Sequence, residues 1–209
     1  MNTNFSVLHA IVDVDVAASA GWKPIDLARA FLDGGARILQ IRAKDLPSGA
    51  LLDLSDALVA LADEYGAGII VNDRVDVARL SGAAGVHVGQ EDLSPTAARA
   101  QLGPAVMIGF STHTVAQVEG ALTEPISYIA VGPVFGTATK ETGYSAVGLD
   151  LVSAAARLAG SVPIVAIGGV KLENARSAID AGASSVAVIS DLLVGDPAER
   201  VKAFLRILE

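Results

Sequence analysis

The sequence predicts one α/β domain, a single (β/α)8 TIM barrel spanning residues 1–209, on three observations. Short apolar runs alternate with amphipathic helical segments, the runs number eight, and no Pro/Ser/Gly-rich or charge-rich linker divides the chain. Strict alternation implies parallel strands with right-handed crossovers. Eight such units close on themselves, whereas a doubly wound open sheet more often has about five to seven strands.

The predicted strands are "SVLHAIVD" (6–13), "RILQIR" (37–42), "GIIVND" (68–73), "GVHVG" (85–89), "VMIGFS" (106–111), "YIAVGP" (128–133), "PIVAIGG" (163–169) and "SVAVIS" (185–190). Between them, "PIDLARAFLDGG" (24–35), "SGALLDLSDALVALADEYG" (48–66) and "KLENARSAIDAG" (171–182) carry helical periodicity and close on glycine, as helix ends often do. A last helix opens with Asp196 as N-cap and Pro197 in its first turn. The stretch 74–82 and the fourth helix are abbreviated, and "GAAG" and "GASS" before strands four and eight read as recurring helix-to-strand turns.

Composition narrows the class. Hydrophobic residues make up 52% and charged residues 18%, which fits a large packed interior and not a disordered chain. There is no cysteine, so disulfides, thiolate catalysis and cysteine-ligated metals are excluded. A formal net charge of −8 argues against nucleic acid as a partner. No apolar run approaches the length of a membrane helix, and "MNTNFSVLHA" lacks the pattern of a secretory signal, so a cytoplasmic protein is expected.

In a parallel barrel the carboxyl ends of all strands open on one face, where catalytic groups gather. The polar residues follow that rule: Asp13 and Asp15 after strand one, Asn72 and Asp73 after three, Gln90, Glu91 and Asp92 after four, Ser111, Thr112 and His113 after five, Ser190 and Asp191 after eight. Asn and Asp after a strand often only make turns or caps; "NDR" at 72–74 would cap the short helix that follows, and Ser94 the next.

Strand two is different. Gln40, Arg42 and Lys44 alternate onto one face, with Leu39, Ile41 and Ala43 on the other. An ion pair inside the core would explain two cations there, and so would a site for an anion. Asp73 and Asp92, from neighbouring strand ends, suit Mg²⁺ completed by substrate phosphates, or alternatively a general acid and base. The neighbouring cations favour the metal and a diphosphate ligand. The long connection 134–148 offers Thr137, Thr139 and Lys140 among glycines, a composition able to cover a phosphate. Gly168, Gly169 and Ser190, after strands seven and eight, stand where barrels bind phosphate through backbone N–H groups. His87, His113 and Trp22 read as structural residues.

Taken in order, "QIRAKD" (40–45), "IIVNDRVDVA" (69–78), "GVHVGQEDL" (85–93), "IGFSTHT" (108–114), "VGPVFGTATK" (131–140), "AIGG" (166–169) and "VAVIS" (186–190) resemble the thiamine phosphate synthase family over nearly the whole chain. The resemblance implies a barrel that joins a pyrimidine diphosphate to a thiazole phosphate, with Mg²⁺ as cofactor and small molecules as partners. It implies that Gln40, Ile41, Arg42, Ala43 and Lys44, with Asn72, Ser111 and Lys140, hold the pyrimidine diphosphate. Arg42, Lys44, Lys140 and Ser111 would be catalytic. Asp73 and Asp92 would bind the metal, and Thr137, Ala138, Thr139, Gly169, Ile189 and Ser190 the thiazole phosphate.

Two other readings compete. A thiazole tautomerase of the same superfamily is disfavoured, in the family pattern, by Pro133 and by the retained Asp92. A non-catalytic phosphate-binding paralogue is disfavoured because no implied catalytic or metal position is substituted.

Overall fold

The computed structural model describes residues 5–136 and 145–209. Eight parallel strands form a closed barrel in sequence order: β1 Leu8–Asp13, β2 Ile38–Arg42, β3 Gly68–Asn72, β4 Gly85–Val88, β5 Met107–Thr112, β6 Tyr128–Val131, β7 Ile164–Ile167 and β8 Ser185–Val188. The ring closes where β1 pairs with β8, Leu8 opposite Val186. Around it lie α1 Val14–Ser19, α2 Pro24–Asp33, α3 Ser48–Glu64, α4 Val75–Leu80, α5 Pro95–Leu102, α6 Val115–Ala121, α7 Gly148–Ala159, α8 Ala175–Asp180 and α9 Pro197–Leu208. No helix among the described residues is long and apolar enough to cross a membrane.

The period of two along each strand divides the core into two layers. Leu39, Ile41, Ile69, Val71, Ile129 and Val131 point outward and meet Leu27, Phe31, Leu58 and Phe204 of the helices. Ile11, Ile38, Ile70, Tyr128, Ala130, Val165 and Ala187 point inward and fill the barrel. Each large apolar side chain so buried contributes roughly 1.5–3 kcal/mol relative to exposure. Trp22 packs against the outer layer, as expected of a structural residue.

The helix-closing turns recur as the sequence suggested. The N–H of Ala83 reaches Ala78 O (3.1 Å) across Gly82 (φ 66°), and that of Ala183 reaches Ala178 O (3.1 Å) across Gly182 (φ 105°). Asp196 caps α9, accepting from Glu199 N at 2.9 Å, and Ser94 caps α5, accepting from Ala97 N at 3.2 Å. Two expectations shift. Helix α1 follows β1 immediately, with Asp13 as its cap, where Asp13 and Asp15 had read as rim residues after strand one. The cap residue of α4 is Arg74, without a side-chain capping bond, so neither Asn72 nor Asp73 serves that purpose.

The barrel floor is aromatic. His9 sits edge-on to Tyr128 (ring centroids 5.2 Å apart, 78°) and tilted against Phe5 (5.2 Å). It is 1% exposed, and its Nε2 has no hydrogen-bond partner among the described residues. Burial pushes its pKa down to about 4. The folded value lies below that of the unfolded chain, so the neutral ring's contribution is complete above the unfolded value and is lost as pH falls toward the folded one. The expected loss from this residue is about 2 kcal/mol between pH 7 and pH 5. Urea unfolding at the two pH values, with the His9 ring followed by NMR, checks it; a ring that charges at pH 6 contradicts it.

Candidate active site

The strand ends at the carboxyl mouth surround a cavity of about 940 Å³. Of the residues singled out from sequence, Arg42, Lys44, Asn72, Asp73, Asp92, Ser111, Gly169, Ile189 and Ser190 all line it. Gln40 lies deeper, 4% exposed inside the barrel, and is not part of the lining. Ile41 points the other way, into the layer between barrel and helices, and Ala43 packs partly against that layer. Side-chain contact with a ligand in the cavity is therefore closed to Ile41, because an odd register on β2 faces outward, whereas Ala43, just beyond β2, is half-buried beside Lys44, Asn72 and Asp73. Thr137, Ala138, Thr139 and Lys140 lie outside the described residues.

Arg42 is placed for both of the roles its position raised. Its Nη1 donates to Asp13 Oδ2, and Asp13 is 2% exposed, so a buried ion pair is real. The pair follows from register, since Asp13 and Arg42 are partners in the β1–β2 ladder. The guanidinium nevertheless faces the cavity. With five donors in a planar fork, Arg42 can satisfy Asp13 and still present N–H groups to an anion. Asp13 Oδ1 meanwhile accepts from Val16 N at 3.1 Å, so one carboxylate holds the arginine and starts α1.

Asp73 stands in the left-handed backbone region (φ 63°), the one non-glycine described residue with positive φ. That conformation costs a side-chain-bearing residue roughly 1–2 kcal/mol. Its N–H donates to His87 O (2.7 Å), and Arg74 N returns to Asn72 O (2.7 Å), a tight reversal that turns the Asp73 side chain to the mouth. Strain of this kind persists where surrounding structure enforces it, commonly at functional sites. Asp92 is exposed, and its Oδ2 accepts from Gly89 N at 2.7 Å, so the turn-making role considered from sequence is present alongside its place in the cavity wall.

The opposite wall is built by β7, β8 and the start of the 134–148 connection. Val134 N donates to Ile167 O (2.8 Å) and Phe135 N to Gly168 O (2.9 Å); Val147 N and Gly148 N return to Pro133 O and Val134 O. The stem of that connection is thus tied to the Gly168–Gly169 turn. A Cβ at Gly168 would meet Pro133 at 2.5 Å, and one at Gly169 would meet Gly136 O at 2.5 Å. These glycines, at φ 95° and 65°, are required by close loop packing as well as by any approaching ligand.

A clamp then joins the two turns. Asp191 Oδ2 accepts from Leu172 N (2.9 Å), in the turn after β7, and from Arg200 Nη2 (2.6 Å) of α9. Arg200 Nε also donates to Asp191 O (3.1 Å). Ser190 opens the 3₁₀ turn Ser190–Leu193 directly beside it.

Three contributors had no site role assigned from the sequence. Gln90 reaches across the mouth, its Nε2 donating to Ser111 O at 2.6 Å. Lys171 adds an exposed cation to the lining. Tyr128 stands below Ser111 on the inner face of β6, a placement its strand period would have revealed. His87, read as structural, bridges Tyr128 and Ser111 and also faces the cavity.

A family model for thiamine monophosphate synthase matches residues 8–192. The chain is 44% identical over 207 residues to the thiamine-phosphate synthase of Koribacter versatilis, covering 96% of this chain and 95% of that one. It is 41% identical to the thiamine-phosphate synthase of Thermus thermophilus, covering 91% and 93%. The thiamine phosphate pyrophosphorylase of Pyrococcus furiosus superposes with a TM-score of 0.86 at 29% identity, covering 96% of this chain and 94% of that one.

Proposed function

The chain belongs to the thiamine monophosphate synthase family, and from that premise we propose how its cavity carries out the reaction. The protein is a transferase that joins 4-amino-5-hydroxymethyl-2-methylpyrimidine diphosphate to a thiazole phosphate, giving thiamine phosphate and diphosphate. The observation that carries the assignment of roles is one cavity with Arg42, Lys44, Asp73, Asp92 and Ser111 on one side and Gly169, Ile189 and Ser190 on the other. Its volume of about 940 Å³ is ample for two substrates together.

In the proposed step the C–O bond between the pyrimidine methylene and the diphosphate breaks, and the electron pair leaves with diphosphate. The thiazole nitrogen then gives its lone pair to the methylene carbon and forms the C–N bond. Negative charge grows on the leaving group, so cationic and N–H donors aimed at it favour the transition state over the ground state. Arg42 and Lys44 fill that role, with Lys140 from beyond the described residues, and Ser111 donates from the strand-five side. The backbone around Gly169, Ile189 and Ser190 holds the thiazole phosphate and sets the nitrogen against the methylene. No nucleophilic side chain is needed, which suits a chain without cysteine.

Asp73 and Asp92 fit Mg²⁺. They are oxygen donors on one wall beside two cations. Such a site suits a hard cation that takes its remaining oxygens from water and substrate phosphates. When bound, the ion supplies charge neutralisation for the departing diphosphate.

Purified protein with both substrates and Mg²⁺ is expected to release diphosphate and form thiamine phosphate in equal amounts. Turnover of the thiazole phosphate alone, or none at all, would instead identify an isomerase or a silent binder.

A further inference from the structure

The geometry points to Tyr128 and His87 as positioning residues: the phenol donates to His87 Nδ1, fixes the proton on Nε2, and so turns the hydroxyl hydrogen of Ser111 toward the ligand. Neither residue has a role in the reaction as derived above. The hydrogen-bonding pattern of the relay stands on its own, and its catalytic consequence rests on Ser111 being a substrate contact.

Two consecutive contacts carry the inference. Tyr128 OH lies 3.0 Å from His87 Nδ1, and His87 Nε2 lies 2.8 Å from Ser111 Oγ. Tyr128 is 1% exposed, and among the described residues His87 Nδ1 is the one hydrogen-bond partner of its hydroxyl. Burial pushes the phenol pKa up, so the oxygen keeps its hydrogen. If Nδ1 carried the imidazole proton, the phenol could only accept, and its own buried hydrogen would be left unsatisfied, which is costly. With the phenol donating, Nδ1 accepts, Nε2–H donates to Ser111 Oγ, and the phenol and imidazole hydrogens are both used. The one left over belongs to the Ser111 hydroxyl, and Ser111 lines the cavity.

The surroundings are built around this line. The His87 and Tyr128 rings stack at 25°, with centroids 5.6 Å apart, and Phe5 and His9 brace the far side of the tyrosine. The inward position of β5 between them is Gly109, where a Cβ would run into the Tyr128 ring and come within 2.5 Å of His87 Nδ1. A side chain there would push the phenol and imidazole apart. Gln90 fixes the other end by donating to Ser111 O. Ser111 can thus deliver a directed hydrogen to an oxygen of the leaving diphosphate, where an unrestrained hydroxyl would divide its time between imidazole and substrate.

Two measurements test it. Nitrogen-15 NMR of the wild-type protein is expected to find His87 Nδ1 as the unprotonated ring nitrogen and Nε2 as the protonated one; the reverse overturns the proposal without any variant. Tyr128→Phe keeps the ring and is expected to lower kcat about 10-fold with KM nearly unchanged, and to have no further effect in a Ser111→Ala background. An equal loss of kcat in both backgrounds would mean that Tyr128 merely supports the fold. Should Ser111→Ala itself be silent, the reading of Ser111 as a substrate contact fails, and with it the catalytic consequence of the relay, while the NMR result still decides the tautomer.

Discussion

Replacing Arg42 with alanine is expected to lower kcat by about 10²–10³-fold and to destabilise the fold by about 3–5 kcal/mol. The two effects have different causes. Turnover falls because the guanidinium that Asp13 holds at the mouth no longer meets the leaving diphosphate. Stability falls because Asp13, 2% exposed, loses the guanidinium that compensates its buried charge. An arginine at a strand end, viewed without its partner, would be expected to leave the fold intact when removed; the Asp13 contact reverses that expectation. The companion Asp13→Asn separates the terms. Asparagine retains an oxygen for Val16 N and removes the buried charge, so adding it to Arg42→Ala should restore much of the stability and none of the rate. Urea titration beside steady-state kinetics checks both, and recovery of the rate in the double variant would remove Arg42 from the chemistry.

Neutralising Asp73 or Asp92, the carboxylates proposed to hold Mg²⁺, is expected to cost several kcal/mol of transition-state stabilisation, roughly 10²–10³-fold in kcat/KM, and to raise the Mg²⁺ concentration needed for half-maximal rate. Asparagine is the informative replacement at both positions. At 92 its side-chain oxygen can still accept from Gly89 N, so the turn survives. At 73 it tolerates the left-handed backbone (φ 63°) better than most residues, so the reversal after β3 survives. A loss of activity in Asp73→Asn or Asp92→Asn with unchanged melting temperature therefore reports on charge. Chelation of Mg²⁺ should abolish activity reversibly in the wild type; full activity in excess chelator contradicts the assignment.

The barrel was legible because its evidence is repeated: each strand run has period two or is apolar throughout, and most helices close on a glycine turn such as Gly82 or Gly182. Helix α1 was not, since "VDVDV" alternates like a strand and only the Asp13 bond to Val16 N marks it as capped. In the site, the same alternation that put Arg42 on the inner face put Ile41 on the outer one, and a family segment quoted whole hides that distinction. The Asp13–Arg42 pair joins residues on different strands and becomes visible only once the register Asp13↔Arg42 exists. Tyr128–His87–Ser111 draws on β6, β4 and β5, so no local pattern announces it. Asp191 and Arg200 are alike in this: a rim residue and a helix residue become one clamp only through folding.

The central physical claim is that Arg42, Lys44, Asp73 and Asp92 form a single receptor for diphosphate that is completed by a divalent ion. Calorimetric titration of the protein with inorganic diphosphate, with and without Mg²⁺, tests it most directly. Binding is expected to be tight only with Mg²⁺, to weaken at least about 10-fold in Asp73→Asn and Asp92→Asn, and to weaken in Arg42→Ala. Equal affinity with and without the ion, unchanged in all three variants, would contradict it.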